Sequence, residues 1–155
     1  MKKRTRRIFG MLLALVLIAA SVPPAAAEST AEPEAEWTVL LYMCGTDLES
    51  KYSYGSQNLE EITHVFALPG KESKVNVLIE TGGCSEWHTE SIGIEVSPYA
   101  IQRWRLNTRA GEPSYSFELL GTMPLRSMAD PETLTDFVRW NMEKYSSERL
   151  LNLKV

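Results

Sequence analysis

The sequence predicts an α/β domain whose strands are covered on both faces. Two segments carry this reading: Trp37 to Cys44 and Val75 to Glu80 are apolar almost throughout, the pattern of strands in a parallel sheet with helices on each side. Between them Leu59, Ile62, Val65 and Phe66 recur at helical spacing within Asn58 to Ala67, and Pro69-Gly70 stops the helix. Strand, helix, strand makes a βαβ unit with a right-handed crossover.

The chain ahead of Trp37 has a different character. Lys2, Lys3, Arg4, Arg6 and Arg7 form a cationic head, Ile8 to Ala20 is an apolar run, and Pro23-Pro24 and Ala25-Ala26-Ala27 follow. This is the layout of a secretory signal peptide over residues 1–27, with cleavage after Ala27 and a mature N-terminus at Glu28. The apolar run is shorter than the roughly 20 residues that span a bilayer, and the prolines oppose an uncleaved anchor extended through Val22 to Ala27. Thr5-Arg6-Arg7-Ile8-Phe9 has the look of a twin-arginine signal, but the Leu/Val/Ile-rich core fits the general export pathway better. Residues 28–36 (ESTAEPEAE) are small, acidic and proline-containing, with nothing to bury, and read as a flexible stalk. The domain proper is expected over 37–155.

Five of the 16 basic residues lie in the leader and none of the 20 acidic ones does, so the remainder carries 11 against 20, a net charge of −9. Such a surface repels phosphate backbones and anionic lipid, which argues against nucleic acid as a partner and against stable membrane insertion after cleavage. It suits an exported protein, secreted or at the cell surface, and basic substrates.

Gly45-Thr46-Asp47 closes the first strand in a turn, and Thr81-Gly82-Gly83 closes the second. From Ile92 to Met123 short runs (Ile92 to Val96, Ile101 to Leu106, Tyr115 to Leu120) alternate with turn residues, and Asn107 to Pro113 supplies a hairpin-like connection. This stretch predicts a small antiparallel insertion on the flank of the sheet. Asp130 then caps a helix with Pro131 at its first position and Glu132 near its positive end, and Leu134, Phe137, Val138, Met142 and Tyr145 share one face. Ser146-Ser147 releases the chain, and Leu150 to Val155 begins a third strand. A sheet that ends there leaves an uncovered edge, through which the chain is expected to self-associate.

Cys44 and Cys84 each follow a buried strand, where open α/β sheets collect their ligands and catalytic groups. One of them as a nucleophile would need His64 or His88 as its base, yet no orienting group or oxyanion donor is identifiable. The plainer reading is a structural cysteine and surface histidines. A disulfide is the better use of the pair in an oxidising compartment, provided that the loops bring the sulfurs close enough. Two Cys and two His lack the paired spacings of a zinc site, so no metal or cofactor is expected. Asp47, Glu49, Glu60 and Glu61 read as a helix cap and a solvated face. Neither glycine turn is a phosphate loop, since the P-loop lysine and the dinucleotide glycine pattern are missing.

Several phrases taken in order resemble the N-terminal part of the clostripain (C11-type) cysteine peptidases: Trp37 to Leu48 (WTVLLYMCGTDL), Asn58 to Glu61, Val75 to Gly83 (VNVLIETGG), Ile101 to Leu106 (IQRWRL) and Met128 to Tyr145 (MADPETLTDFVRWNMEKY). The resemblance implies a caspase-like α/β/α sandwich, here partial, in a secreted endopeptidase that cleaves after Arg or Lys. In that family the catalytic histidine stands in a His-Gly phrase after the third strand and the nucleophile in an Asp-Ala-Cys phrase after the next. Neither phrase occurs here, and Cys44, Cys84, His64 and His88 do not match those motifs, so no catalytic role carries over to them. The chain is therefore expected to be an N-terminal fragment, inactive alone; a genuine truncation, a frameshift, a partial gene and a second chain that completes the fold all stay open. Leu150 to Val155 also departs from the apolar third strand of the family. A secreted, non-enzymatic binding module on the same fold is the alternative.

Overall fold

The computed structural model describes residues 35–66, 74–108, 115–145 and 147–155. The expected leader, the stalk up to residue 34, the Pro69-Gly70 stop, the 109–114 part of the hairpin connection and Ser146 lie outside them. The central strand, β1 (Ala35–Cys44), starts two residues before Trp37, because Glu36 and Trp37 both donate backbone N–H groups to Lys74 O. It pairs in parallel with β2 (Val75–Gly82), from Trp37↔Val75 to Cys44↔Gly82, which establishes the βαβ unit.

Two helices fill the crossover. The expected turn after β1 is instead the start of α1 (Thr46–Tyr52), and α2 (Tyr54–Phe66) begins before Asn58. Ser53, at a left-handed φ of 59°, separates the two, and its N–H returns to Glu49 O. Beyond β2 the run Ile92 to Val96 is not a strand: Glu90–Ile92 form one turn of 3-10 helix in which Ile92 is buried, and Val96 is buried in the loop that follows. The antiparallel part is the hairpin β3 (Ala100–Thr108) and β4 (Tyr115–Pro124). It continues the main sheet, since β3 pairs antiparallel with β2. Helix α3 (Pro131–Lys144) follows, and β5 (Ser147–Lys154) pairs in parallel with β1. The expected third strand is thus present, three residues longer at its start than Leu150. The sheet order is β4-β3-β2-β1-β5.

Alternation along β1 and β2 sends residues to two cores. Leu41, Met43, Val77 and Ile79 face Leu59 of α2 together with Trp87, Trp104 and Leu106. Leu40, Tyr42, Leu78 and Ile101 face Phe137 of α3 and Met128. Each fully buried aliphatic side chain contributes about 1.5–3 kcal/mol relative to exposure, which is why the doubly covered strands, and not propensity, fix this architecture. The result is a mixed α/β/α sandwich. Helix α3 starts as its sequence dictates, with Asp130 Oδ1 accepting from Glu132 N at 3.0 Å and Pro131 at the first helical position. Its apolar face is narrower than predicted: Phe137 is fully buried and Leu134 and Val138 partly so, but Met142 is 69% exposed. Met142 lines an open cavity together with Asn152 of β5.

Candidate functional site at the carboxyl end of the sheet

The ends of β1 and β2 meet in two tied corners. Gly45 N donates to Gly82 O at 2.9 Å, and Thr46 N to Gly83 O at 3.1 Å. Gly83 has a φ of +78°, and a Cβ there would lie 3.2 Å from Cys44 Sγ. A Cβ on Gly45 would lie 2.7 Å from Cys84 Sγ, closer than any real contact allows. Each cysteine therefore occupies space left open by a glycine of the neighbouring corner. Beside Cys44, the loop after β4 (Leu125 to Ala129) walls an open cleft of about 590 Å³ that also reaches Thr46 and Gly83.

The two thiols stay free and lie on opposite faces of the sheet. Cys44 packs against the core under α3, and Cys84 against the core under α2. The disulfide weighed from sequence is not formed, because proximity in the sheet does not put two side chains on one face. Cys84 Sγ donates to Glu86 O at 3.2 Å. Burial pushes its thiol up to about 11 from an ordinary 9.0, with smaller contributions from Glu49 and Cys44 in the same direction, so it is a thiol and not a thiolate at neutral pH.

His88 is turned toward α1, its Nε2 meeting Ser50 O at 3.4 Å, while His64 is exposed in the last turn of α2. The structure does not bring these four residues together as thiol and base. Among the described residues no group of three His, Cys, Asp or Glu side chains is placed to hold a metal ion.

A carboxylate that sequence reasoning assigned to a solvated face lies at the centre of this region. Glu49 is fully buried. Its Oε2 accepts from Ser56 N at 2.8 Å, and its Oε1 accepts from the Ser56 hydroxyl and from His88 N at 2.9 Å. It joins α1 to the first turn of α2 and to the loop after Cys84. Its negative charge at the start of α2 also complements the helix dipole. Gly55 permits this, since a Cβ there would stand 3.0 Å from Glu49 Oε2. A faint signal was available: Glu49 precedes Ser56 and Gly55, small residues at a helix start that accept a close carboxylate.

A second buried network lies under α3. Arg103 of β3 is 5% exposed and forms an ion pair with its cross-strand partner Glu80 at 2.6 Å and another with Asp136 at 2.8 Å. Its guanidinium lies over the Trp140 ring at 4.8 Å and the Phe137 ring at 5.6 Å. Burial raises the Glu80 carboxyl despite the Arg103 charge, and Glu80 Oε1 has no hydrogen-bond partner among the described residues. Asp136, more exposed, is held below the usual carboxylate range by Arg103 and Arg126 against a raising effect of burial. Arg126, on the cleft wall, completes the chain through Asp136 at 2.7 Å. The cleft is thereby connected to the core through Arg126, Asp136, Arg103 and Glu80.

This fold is that of the clostripain-like C11 cysteine proteases. The chain is similar to the inactive zymogen of a C11 protease from Parabacteroides distasonis, with 24% identity and a TM-score of 0.60 over 79% of this chain. It is similar to a cysteine protease of B. fragilis, at 17% identity and a TM-score of 0.56, and to a clostripain of Bacteroides thetaiotaomicron solved with a peptide inhibitor, at 14% and 0.53. It spans 30% of the Parabacteroides chain, but 86% and 90% of the other two chains. No family model and no curated protein matches the sequence. These likenesses agree with the resemblance carried by the sequence phrases and with the caspase-like α/β/α sandwich that it implied. No helix among the described residues is long and apolar enough to cross a membrane.

Proposed function

We propose that this chain is the N-terminal portion of a secreted clostripain-like cysteine endopeptidase, supplying sheet and cleft wall but not the reacting groups, and that it does not cleave peptides alone. The observation that carries the reading is the shared fold over 79% of the chain, together with a span of only 30% of the Parabacteroides zymogen. The thiol chemistry supports it: hydrolysis needs a thiolate, a base within hydrogen-bond reach and donors for the oxyanion. Here Cys84 is held protonated and His88 faces Ser50. The inhibitor of the Bacteroides thetaiotaomicron clostripain carries the sequence VLTK, ending on a basic residue, which fits cleavage after Arg or Lys by the whole protein and an acidic surface that attracts basic peptides.

The test uses the exported chain, whose intact mass is expected to correspond to a start at Glu28. Reporter peptides with Arg or Lys before the scissile bond are added with and without reductant and calcium, alongside a Cys44→Ala/Cys84→Ala double variant. No turnover is expected from either. Turnover abolished in the double variant would make one of these cysteines a nucleophile and overturn the fragment reading. A non-enzymatic binding module is the second reading, favoured by the same protonated thiol. It gains if the DNA downstream of codon 155 encodes no His-Gly and Asp-Ala-Cys phrases in any frame.

A further inference from the structure

The open cleft of about 590 Å³ differs in charge from the rest of the surface. The chain beyond the expected leader carries a net charge of −9, yet among the described residues that line this cleft none is acidic and Arg126 is cationic. The acids next in sequence to its walls are engaged elsewhere: Asp47, beside Thr46, pairs with Lys51 at 3.2 Å, and Asp130 caps α3 through Glu132 N. The walls are the corner after β1, the corner after β2 and the loop after β4, and they owe nothing to β5.

The polar groups of the lining are donors held in place. Arg126 gives one N–H to Asp136 Oδ2 at 2.7 Å, and the same oxygen accepts from Arg103 at 2.8 Å, so one carboxylate oxygen is divided between two guanidinium groups. The tie orients Arg126 and leaves it further donors and much of its charge. Ser127 Oγ and Thr46 Oγ1 accept from the N–H groups of Ala129 at 3.2 Å and Leu48 at 3.3 Å, which leaves each hydroxyl its own proton to donate. Thr46 holds a φ of 52°, a region that β-branched residues avoid; glycine would sit there without strain but would bring no hydroxyl. The loop after β4 is pinned from below, since the Tyr42 hydroxyl donates to Met128 O at 2.9 Å and the Thr133 hydroxyl to Ser127 O at 2.8 Å. The donors of that wall are thus fixed before any ligand arrives, which lowers the cost of binding one.

We propose that this cleft binds a carboxylate borne on a peptide, an acidic side chain or a C-terminus, held by Arg126 and the Ser127 hydroxyl with Thr46 from the corner after β1. A guanidinium presents a planar fork that matches a carboxylate. Against an acidic surface a carboxylate brings one negative charge where a phosphate group brings roughly two, so it meets less repulsion. Leu125 and Met128 give the lining apolar surface for the aliphatic stem behind such a group. The cleft has the volume of a small-ligand pocket. The inference uses none of the groups that peptide hydrolysis needs, and it is read by binding and not by turnover, so it stands or falls apart from the peptidase reading.

Nuclear magnetic resonance titration of the exported chain tests it with four probes: a tripeptide capped at both ends with a central glutamate, its glutamine analogue, an acetylated dialanine with a free C-terminus, and inorganic phosphate. Saturable shifts of the Gly83, Arg126, Ser127 and Met128 amides are expected with the glutamate peptide, the free C-terminus or both, and which of them binds identifies the source of the carboxylate. The glutamine analogue should leave those amides unmoved. Arg126→Gln should weaken binding by about tenfold and Ser127→Ala by about threefold. Arg126→Lys, which keeps the charge and loses the fork, should fall between Arg126→Gln and the parent, and Lys51→Gln, outside the cleft, should bind as the parent does. The shift map of the parent chain needs no variant and so does not depend on any variant folding. Equal binding of the glutamine analogue, phosphate binding as tightly as either carboxylate, shifts confined to other parts of the chain, or undiminished binding by a folded Arg126→Gln would overturn the proposal.

Discussion

Replacing Glu49 by alanine tests whether a buried carboxylate holds the carboxyl-end corner together. The change leaves Ser56 N and His88 N without their acceptor, each in a buried or half-buried setting. An orphaned donor costs about 1–3 kcal/mol, and losing the charge at the start of α2 adds up to about 1–2 kcal/mol. Relief from burying a carboxylate offsets part of this, so the expected net loss is about 2–4 kcal/mol. For a domain of this size that lowers Tm by roughly 8–15 °C. Glu49→Gln keeps the shape but aims an amide N–H at one of those donors, and should lose at least half as much. The control is Glu61→Ala, in the same acidic class by sequence but exposed on α2, expected to fall within about 0.5 kcal/mol of the parent. The assay is thermal unfolding by circular dichroism, with hydrogen exchange at the His88 amide as a local probe. If Glu49→Ala and Glu61→Ala shift Tm equally and His88 keeps its protection, the carboxylate is not the tie described and the reasoning fails.

Two further predictions concern the other buried ionisable groups. Arg103→Met should destabilise by about 3–5 kcal/mol, because it leaves the Glu80 carboxyl buried without its partner, whereas Arg103→Met/Glu80→Leu should recover most of that loss; urea unfolding in which single and double variants lose equally would refute the ion-pair account. Alkaline pH should destabilise the chain through Cys84, raised from 9.0 to about 11, and Tyr42, raised by burial and by the nearby Glu80 and Cys44 charges from 10.0 to about 12. Both are acids that hold their protons more tightly when folded, so their contribution is intact below pH 9 and is lost as pH rises from 9 toward 12. The urea midpoint should fall across that window and fall less steeply in Cys84→Ser and Tyr42→Phe; an unchanged slope in both variants would contradict the shifts.

What the sequence determined by itself was the local grammar of the fold. Trp37 to Cys44 and Val75 to Glu80 had to be strands buried on both faces because no polar alternation left either face for water, and the helical spacing between them made them parallel. Asp130-Pro131 set the start of α3 because a cap needs only residues adjacent in the chain. Tertiary structure alone decided which charged residues are inside. Glu49 and Glu61 are indistinguishable in their neighbourhoods, yet Glu49 finds a donor 39 residues away at His88. Arg103 is a core residue because pairing of β3 with β2 places Glu80 opposite it and α3 lays Trp140 against it. The same pairing joins the expected antiparallel stretch to the flank of the parallel strands as part of one sheet. Cys44 ends β1 and Cys84 follows the end of β2 by two residues, yet they pack on opposite faces, a matter of register and of the left-handed turn at Gly83. Met142 follows the apolar period of α3 and still meets water, since periodicity states which face a helix would bury and not how far the neighbouring layer extends. A charge enters a core only where partners distant in sequence converge on it, and that convergence is a property of the assembled sheet.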